Sequence, residues 1–190
     1  MLWRPFHLAG KVDSKPPYRP GSSMRILVAT ASKHGATREI GTQLGSDLST
    51  GMKERGVDAE VTVLDTNDVD TVMDYDAVVL GSAIYFGRWL KSADKLVDRE
   101  LMYLEDRPVW LFSSGPVTPG DKAESSKWAT VPWAVEHHMF GGKIDRSVLN
   151  FAERLAMKAL HAEDGDYRNM DEITTWADSI CTHLTARTVR

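Results

Sequence analysis

The stretch Met24-Arg25-Ile26-Leu27-Val28-Ala29-Thr30-Ala31-Ser32-Lys33-His34-Gly35-Ala36-Thr37-Arg38-Glu39-Ile40 decides the fold. Residues 25–30 read as a continuous apolar strand, the pattern of burial on both faces of a sheet. A helix is predicted from about 36 to 55, because Ile40, Leu44, Leu48 and Met52 recur at steps of four on one face. Gly41 and Gly45 flank that stripe and lower helix propensity, which is tolerable where a helix must lie close on a sheet. Gly56 stands where a C-cap belongs.

Working outward, the alternation of strand and helix continues. Residues 59–64 place Ala59, Val61 and Val63 on one side, which suggests an edge strand, and Ala77-Val78-Val79-Leu80-Gly81 reads as a third, buried strand. A helix over about 89–104 carries the stripe Leu90, Ala93, Val97, Leu101 and Leu104, and Pro108 restarts the chain into Val109-Trp110-Leu111-Phe112. A long polar loop runs from Gly115 to about Trp133, followed by a strand from Ala134 to Phe140. Two helices close the chain, about 146–162 through Val148, Ala152, Leu155 and Ala159, and about 169–186 through Ile173, Trp176, Ala177, Ile180 and Leu184. Alternating βα units with right-handed crossovers give a doubly wound α/β fold with a parallel sheet.

Residues 1–23 differ. They hold Pro5, Pro16, Pro17, Pro20 and Gly21-Ser22-Ser23, show no period, and read as a disordered extension ahead of a single domain at 24–190. The extension lacks the apolar centre of a secretory signal. Its charge balance is +3, which leaves −7 for the remainder of a chain whose net charge is −4. An acidic body without a basic stripe argues against nucleic acid, and a basic arm that touches a membrane surface or partner is the functional alternative for the extension. At 190 residues, 42% hydrophobic and 26% charged, the composition is that of an ordinary globular protein with no apolar run of membrane-helix length. The single cysteine, Cys181, excludes a disulfide framework and a multi-cysteine zinc site, fits a reducing cytoplasmic compartment, and reads as a packing residue.

In a doubly wound sheet the ligand sits beyond the carboxyl ends of the strands, so three loops matter. The first, residues 30–39, joins a buried strand to a helix and aims its amides and the helix dipole at an anion. It is no Walker loop and no dinucleotide fingerprint, which leaves hydroxyl-rich cradling of a mononucleotide phosphate, with an ordinary helix cap as the bland alternative. The second is Gly81-Ser82-Ala83-Ile84-Tyr85-Phe86-Gly87-Arg88-Trp89, rich in aromatic surface, and the third is Ser113-Ser114-Gly115-Pro116. His137 and His138 are neighbours in a strand, so they face opposite ways and cannot form a two-histidine metal face. The acidic run Asp65, Asp68, Asp70, Asp74 and Asp76 reads as solvated surface. No catalytic residue can be assigned from spacing, and no metal site is expected.

These loops resemble the flavodoxin superfamily, whose phosphate loop reads Ser/Thr-x-Ser/Thr-Gly-x-Thr. Ser32, Gly35 and Thr37 fit that frame, while His34 stands where the family commonly has a hydroxyl residue. The run Gly35-Ala36-Thr37-Arg38-Glu39-Ile40 is similar to the branch that contains menaquinone-dependent protoporphyrinogen oxidase, and residues 136–145 resemble a segment of actinobacterial flavodoxin-domain proteins. The resemblance covers about residues 24–185 and implies a five-stranded parallel sheet in the order 2-1-3-4-5.

It further implies FMN, with the phosphate held by Ser32, Lys33, His34, Gly35, Ala36 and Thr37. The ring would be met by Ser82, Ala83, Ile84, Tyr85, Phe86, Gly87 and Arg88, and by Ser113, Ser114 and Gly115. Tyr85, Phe86 and Trp89 are the expected aromatic walls, and Arg88 the expected cation beside the reduced ring. The activity implied is electron transfer from an organic donor, or a redox partner, to a quinone-type acceptor, as in the protoporphyrinogen oxidase branch. The alternatives are an electron carrier without its own substrate and a cofactor-less binding module.

Overall fold

A computed structural model describes residues 23–115, 127–128, 130–145, 147–149, 151, 154–155 and 163–188. The elements are β1 (Met24–Ala31), α1 (Ala36–Glu54), β2 (Ala59–Asp65), β3 (Ala77–Tyr85), β4 (Arg88–Trp89), α2 (Lys91–Leu104), β5 (Val109–Gly115), β6 (Glu136–Gly141), β7 (Lys143–Ile144), β8 (Gly165–Asp166) and α3 (Met170–Thr188). The main strands order as β2-β1-β3-β5-β6, every pair parallel, with β4 folded back on β3. With the two-residue β4 uncounted, this is the expected 2-1-3-4-5 order, and the fold is a flavodoxin-like α/β sandwich.

Strand alternation sorts the core into two layers. Ile26, Val28, Val79, Trp110, Phe112 and Phe140 face α1 and α3, where they meet Ile40, Leu44, Leu48, Ile173, Trp176 and Ile180. Leu27, Ala29, Val78, Leu80, Val109 and Leu111 face α2 and meet Ala93, Leu96 and Val97. The glycines of α1 do what their cost in propensity requires. A methyl on Gly41 would stand 2.3 Å from Thr30 Cγ2, and one on Gly45 2.4 Å from Val63 Cγ2. The helix lies on β1 and β2 at a distance that any side chain there would forbid.

Four features depart from the sequence reading. First, β3 does not end at Gly81 but runs on to Tyr85, so residues expected as a loop are a β-hairpin with Ile84 opposite Trp89 and Tyr85 opposite Arg88. Its two turn residues, Phe86 and Gly87, have φ of 48° and 72°. Positive φ at both central positions is what lets a two-residue hairpin follow the strand twist, and phenylalanine is an uncommon residue to meet that demand. Second, α2 starts at Lys91, because β4 takes residues 88–89.

Third, the loop between β2 and β3 is more than a solvated acidic run. The 66–76 segment covers that face with Val69 and Val72, and is held by the buried Glu100 carboxylate, which accepts from the Val72 amide and the Thr71 hydroxyl, each at 2.9 Å. Burial pushes Glu100 upward, yet these bonds and the Arg99 guanidinium bring it below the ordinary carboxylate value. The acidic run is therefore not wholly solvated surface, since Asp76 also accepts the Arg25 amide at 2.8 Å. Fourth, Val148 and Leu155, expected to pack, are 51% and 60% exposed. The remainder of the helix expected at 146–162, most of the 115–133 loop, and residues 1–22 lie outside the described residues. No helix among the described residues is long and apolar enough to cross a membrane, and no group of His, Cys, Asp or Glu among them could hold a metal ion.

Candidate functional site

Parallel register brings the ends of β1, β3 and β5 side by side, with Ala31 opposite Ser82 and Ala83 opposite Ser114. The three loops singled out above therefore open at one end of the sheet.

The loop after β1 is built around Gly35, whose φ of 95° is the left-handed turn that glycine adopts without steric cost. Its amide donates to Ser32 Oγ at 3.1 Å, and no side chain caps α1. The first helical bond closes from the Glu39 amide to the Gly35 carbonyl at 2.9 Å. The first turn of amides is thus left for an incoming acceptor, at the positive end of a 19-residue helix. Thr37 is buried in that turn, while Lys33 and His34 are exposed.

The hairpin leans over this loop. Lys33 Nζ stands 4.7 Å from the Tyr85 ring centroid, and the His34 ring centre lies 6.1 Å from the same ring. Tyr85 is half-buried, whereas Phe86 at the tip is 80% exposed and Arg88 is also exposed. Ile84, Ala36 and Gly115 are half-buried on the same end, and Ala83 is buried.

Trp89 corrects the reading that made it a wall. It is 5% exposed, and its indole N–H donates to Ser113 Oγ at 2.8 Å beneath the sheet end. Ser82, Ser113 and Ser114 are also interior. Ser82 Oγ accepts the Leu90 amide and donates to the Ala83 carbonyl, each at 2.9 Å, which ties β3 to the start of α2. Ser113 Oγ lies 2.9 Å from His137 Nε2. Burial, then the neighbouring His138 charge, pushes the His137 imidazole below its ordinary value of 6.5. His138 points to the other layer, 3.0 Å from Glu172 Oε1 and 4.5 Å from the Phe140 ring centre, as expected of adjacent strand residues. Cys181 is fully buried between α3 and α1, with its thiol pushed up to about 11 by burial.

One group escaped sequence reasoning. The β7–β8 pair closes over the ends of β5 and β6, where the Gly142 amide donates to the Gly115 carbonyl at 2.7 Å and the Tyr167 amide to the Gly142 carbonyl at 3.0 Å. Just beyond β8, Arg168 grips Asp166 and reaches Glu39 in the first turn of α1. The pair Gly141-Gly142 was the available signal, since a methyl on Gly141 would fall 2.0 Å from the Tyr167 carbonyl oxygen.

The family model described as Flavodoxin domain matches residues 27–171, and the chain belongs to that family. Over 90 residues it is 29% identical to protoporphyrinogen IX dehydrogenase [quinone] of Escherichia coli (strain K12), an alignment that covers 47% of this chain and 48% of that protein. The chain therefore spans about half the length of the curated relatives it matches. Among solved structures, rubredoxin oxygen:oxidoreductase from Desulfovibrio gigas overlays with a TM-score of 0.51 at 12% identity, covering 87% of this chain and 37% of that one. Oxidised flavodoxin 1 from Bacillus cereus gives 0.51 at 11% identity over 84% and 98% of the two chains. At such identities these overlays establish the fold.

Proposed function

We propose that the chain is an FMN-binding oxidoreductase that passes electrons between an organic donor and a quinone-type acceptor. The observation that carries it is the juxtaposition, at the ends of β1 and β3, of the Gly35-turned loop with its uncapped helix and the Tyr85 side of a hairpin. The donor set suits a phosphate: backbone amides at a helix N-terminus, the hydroxyls of Ser32 and Thr37, and the Lys33 and Arg38 charges nearby. One phosphate is what such a loop takes, which favours FMN over FAD. Tyr85 and Phe86 supply apolar surface for a flat ring, and Arg88 a permanent cation close to it. Ser82 and Ser113 act from inside, holding the β3 and β5 ends in place rather than offering hydroxyls, and Ser114 is buried beside them. When bound, FMN supplies the two-electron or one-electron redox chemistry. The lone, buried Cys181 supports a reducing, cytoplasmic setting.

Purified protein should show the visible absorption of oxidised flavin, or acquire it on reconstitution with FMN. Chromatography of the heat-released cofactor should recover FMN. Recovery of FAD, or no binding in excess FMN, defeats the cofactor reading. A screen of reduced donors against quinones then tests turnover, and reduction without any turnover favours an electron carrier.

A further inference from the structure

Acidic residues are common in the first turn of a helix, where they sit favourably in its dipole. Glu39 is such a residue in α1, and here it stands beside the loop that the reading above assigns to a phosphate. Its Oε1 lies 3.8 Å from the point where a side chain on Gly35 would begin. A free carboxylate at that place would compete for the same field and repel an incoming dianion.

Glu39 is not free. Arg168 Nη1 bonds its Oε2, while Nε and Nη2 of the same guanidinium fork onto Asp166 at 2.8 Å and 2.6 Å. The Arg168 side chain is 6% exposed, against 59% for Glu39, so the cation is fixed and the carboxylate is brought to it. The fixing is built in layers. The Gly115 carbonyl takes the Gly142 amide, the Gly142 carbonyl takes the Tyr167 amide, and β8 pairs Asp166 with Lys143. An arm thus runs from the end of β5 to the first turn of α1. The other cations in reach are differently placed, with Lys33 over the Tyr85 ring and Arg38 Nη2 3.6 Å from the would-be Gly35 side chain.

We infer that Arg168 is a positioning residue for the phosphate loop: anchored on Asp166, it holds the Glu39 carboxylate in place and offsets part of its charge, and so makes the α1 N-terminus more acceptable to a dianion. The inference rests on the flavin-phosphate reading and adds to it a residue 129 positions distant in sequence from Glu39. Arginine suits the role because its planar charge is permanent and can grip Asp166 with one edge while meeting Glu39 with another.

The test compares FMN with riboflavin, which has the same ring and no phosphate, by flavin fluorescence titration. Arg168→Gln should weaken FMN about tenfold and leave riboflavin unchanged. The double variant Arg168→Gln/Glu39→Gln should return FMN to within about twofold of the parent, and Glu39→Gln alone should bind FMN at least as tightly as the parent. Four outcomes overturn the inference: unchanged FMN binding in Arg168→Gln, equal losses of FMN and riboflavin, a double variant that keeps the defect, or weaker FMN binding in Glu39→Gln. Should Arg168→Gln fail to fold, the Glu39→Gln result decides alone. A parent that binds no FMN overturns the functional reading and this inference together, whereas a parent that binds FMN with an indifferent Arg168 overturns only the inference.

Discussion

The Trp89 indole nitrogen donates to the Ser113 hydroxyl at 2.8 Å, and this bond adds a side-chain tie from β4 to β5 beneath the proposed ligand end. Both side chains are buried, so removal of the hydroxyl strands an N–H without an acceptor. Ser113→Ala should lower stability by about 1–3 kcal/mol in urea unfolding, and Trp89→Phe in the same chain should recover part of that loss.

His137 gives a pH signature. Its folded value lies below 6.5, so protonation favours the unfolded chain. The stabilisation is complete above 6.5, declines as pH falls below it, and is gone beneath the depressed folded value. Unfolding midpoints should drop between pH 7.5 and pH 5.5, a window above the range in which ordinary carboxylates titrate. His137→Gln should flatten that part of the profile.

Gly41 should resist the substitution that helix propensity favours. Alanine gains up to about 1 kcal/mol in an exposed helix, but here its methyl meets Thr30 Cγ2 at 2.3 Å, and overpacking costs about 1–3 kcal/mol. Gly41→Ala should lower the melting temperature, and Thr30→Ser, which removes the opposing methyl, should restore it in the double variant.

Thr37→Val keeps the shape of a buried side chain and removes its hydroxyl. FMN affinity should fall by about 1.5–3 kcal/mol if the hydroxyl meets a phosphate oxygen, with riboflavin binding unaltered. Flavin fluorescence titration of both ligands checks it, and equal affinity for FMN in parent and variant moves the phosphate away from Thr37.

The sheet was legible because its central strands β1, β3 and β5 are buried on both faces. Ile26-Leu27-Val28-Ala29 and Val109-Trp110-Leu111-Phe112 have no polar alternation to confuse them with a surface strand or an amphipathic helix. Gly41 and Gly45 were legible for the opposite reason, since glycine inside a strong helical stripe asks for a close neighbour. Trp89 misled because aromatic content is equally consistent with a wall and with a core. What distinguishes them is the turn at Phe86-Gly87, and phenylalanine does not announce a positive φ. Arg168 and Glu39 were beyond reach because nothing local pairs residues so far apart. Gly141-Gly142 showed that something comes close, but not what.

The packing of α1 against α3 has a consequence for how the chain comes into being. Arg55 reaches Asp178 at 2.7 Å, Thr174 reaches Asp47 at 2.9 Å, and Cys181 lies under Leu48. Helix α1 therefore finds its permanent neighbour only when α3, made more than a hundred residues later, has left the ribosome. Until then, among the described residues, one side of the nascent sheet, with Trp110 and Phe112 on it, lacks the α3 half of its cover. Translation that stalls after β6 would leave an unfinished apolar surface, the kind of intermediate that chaperones capture.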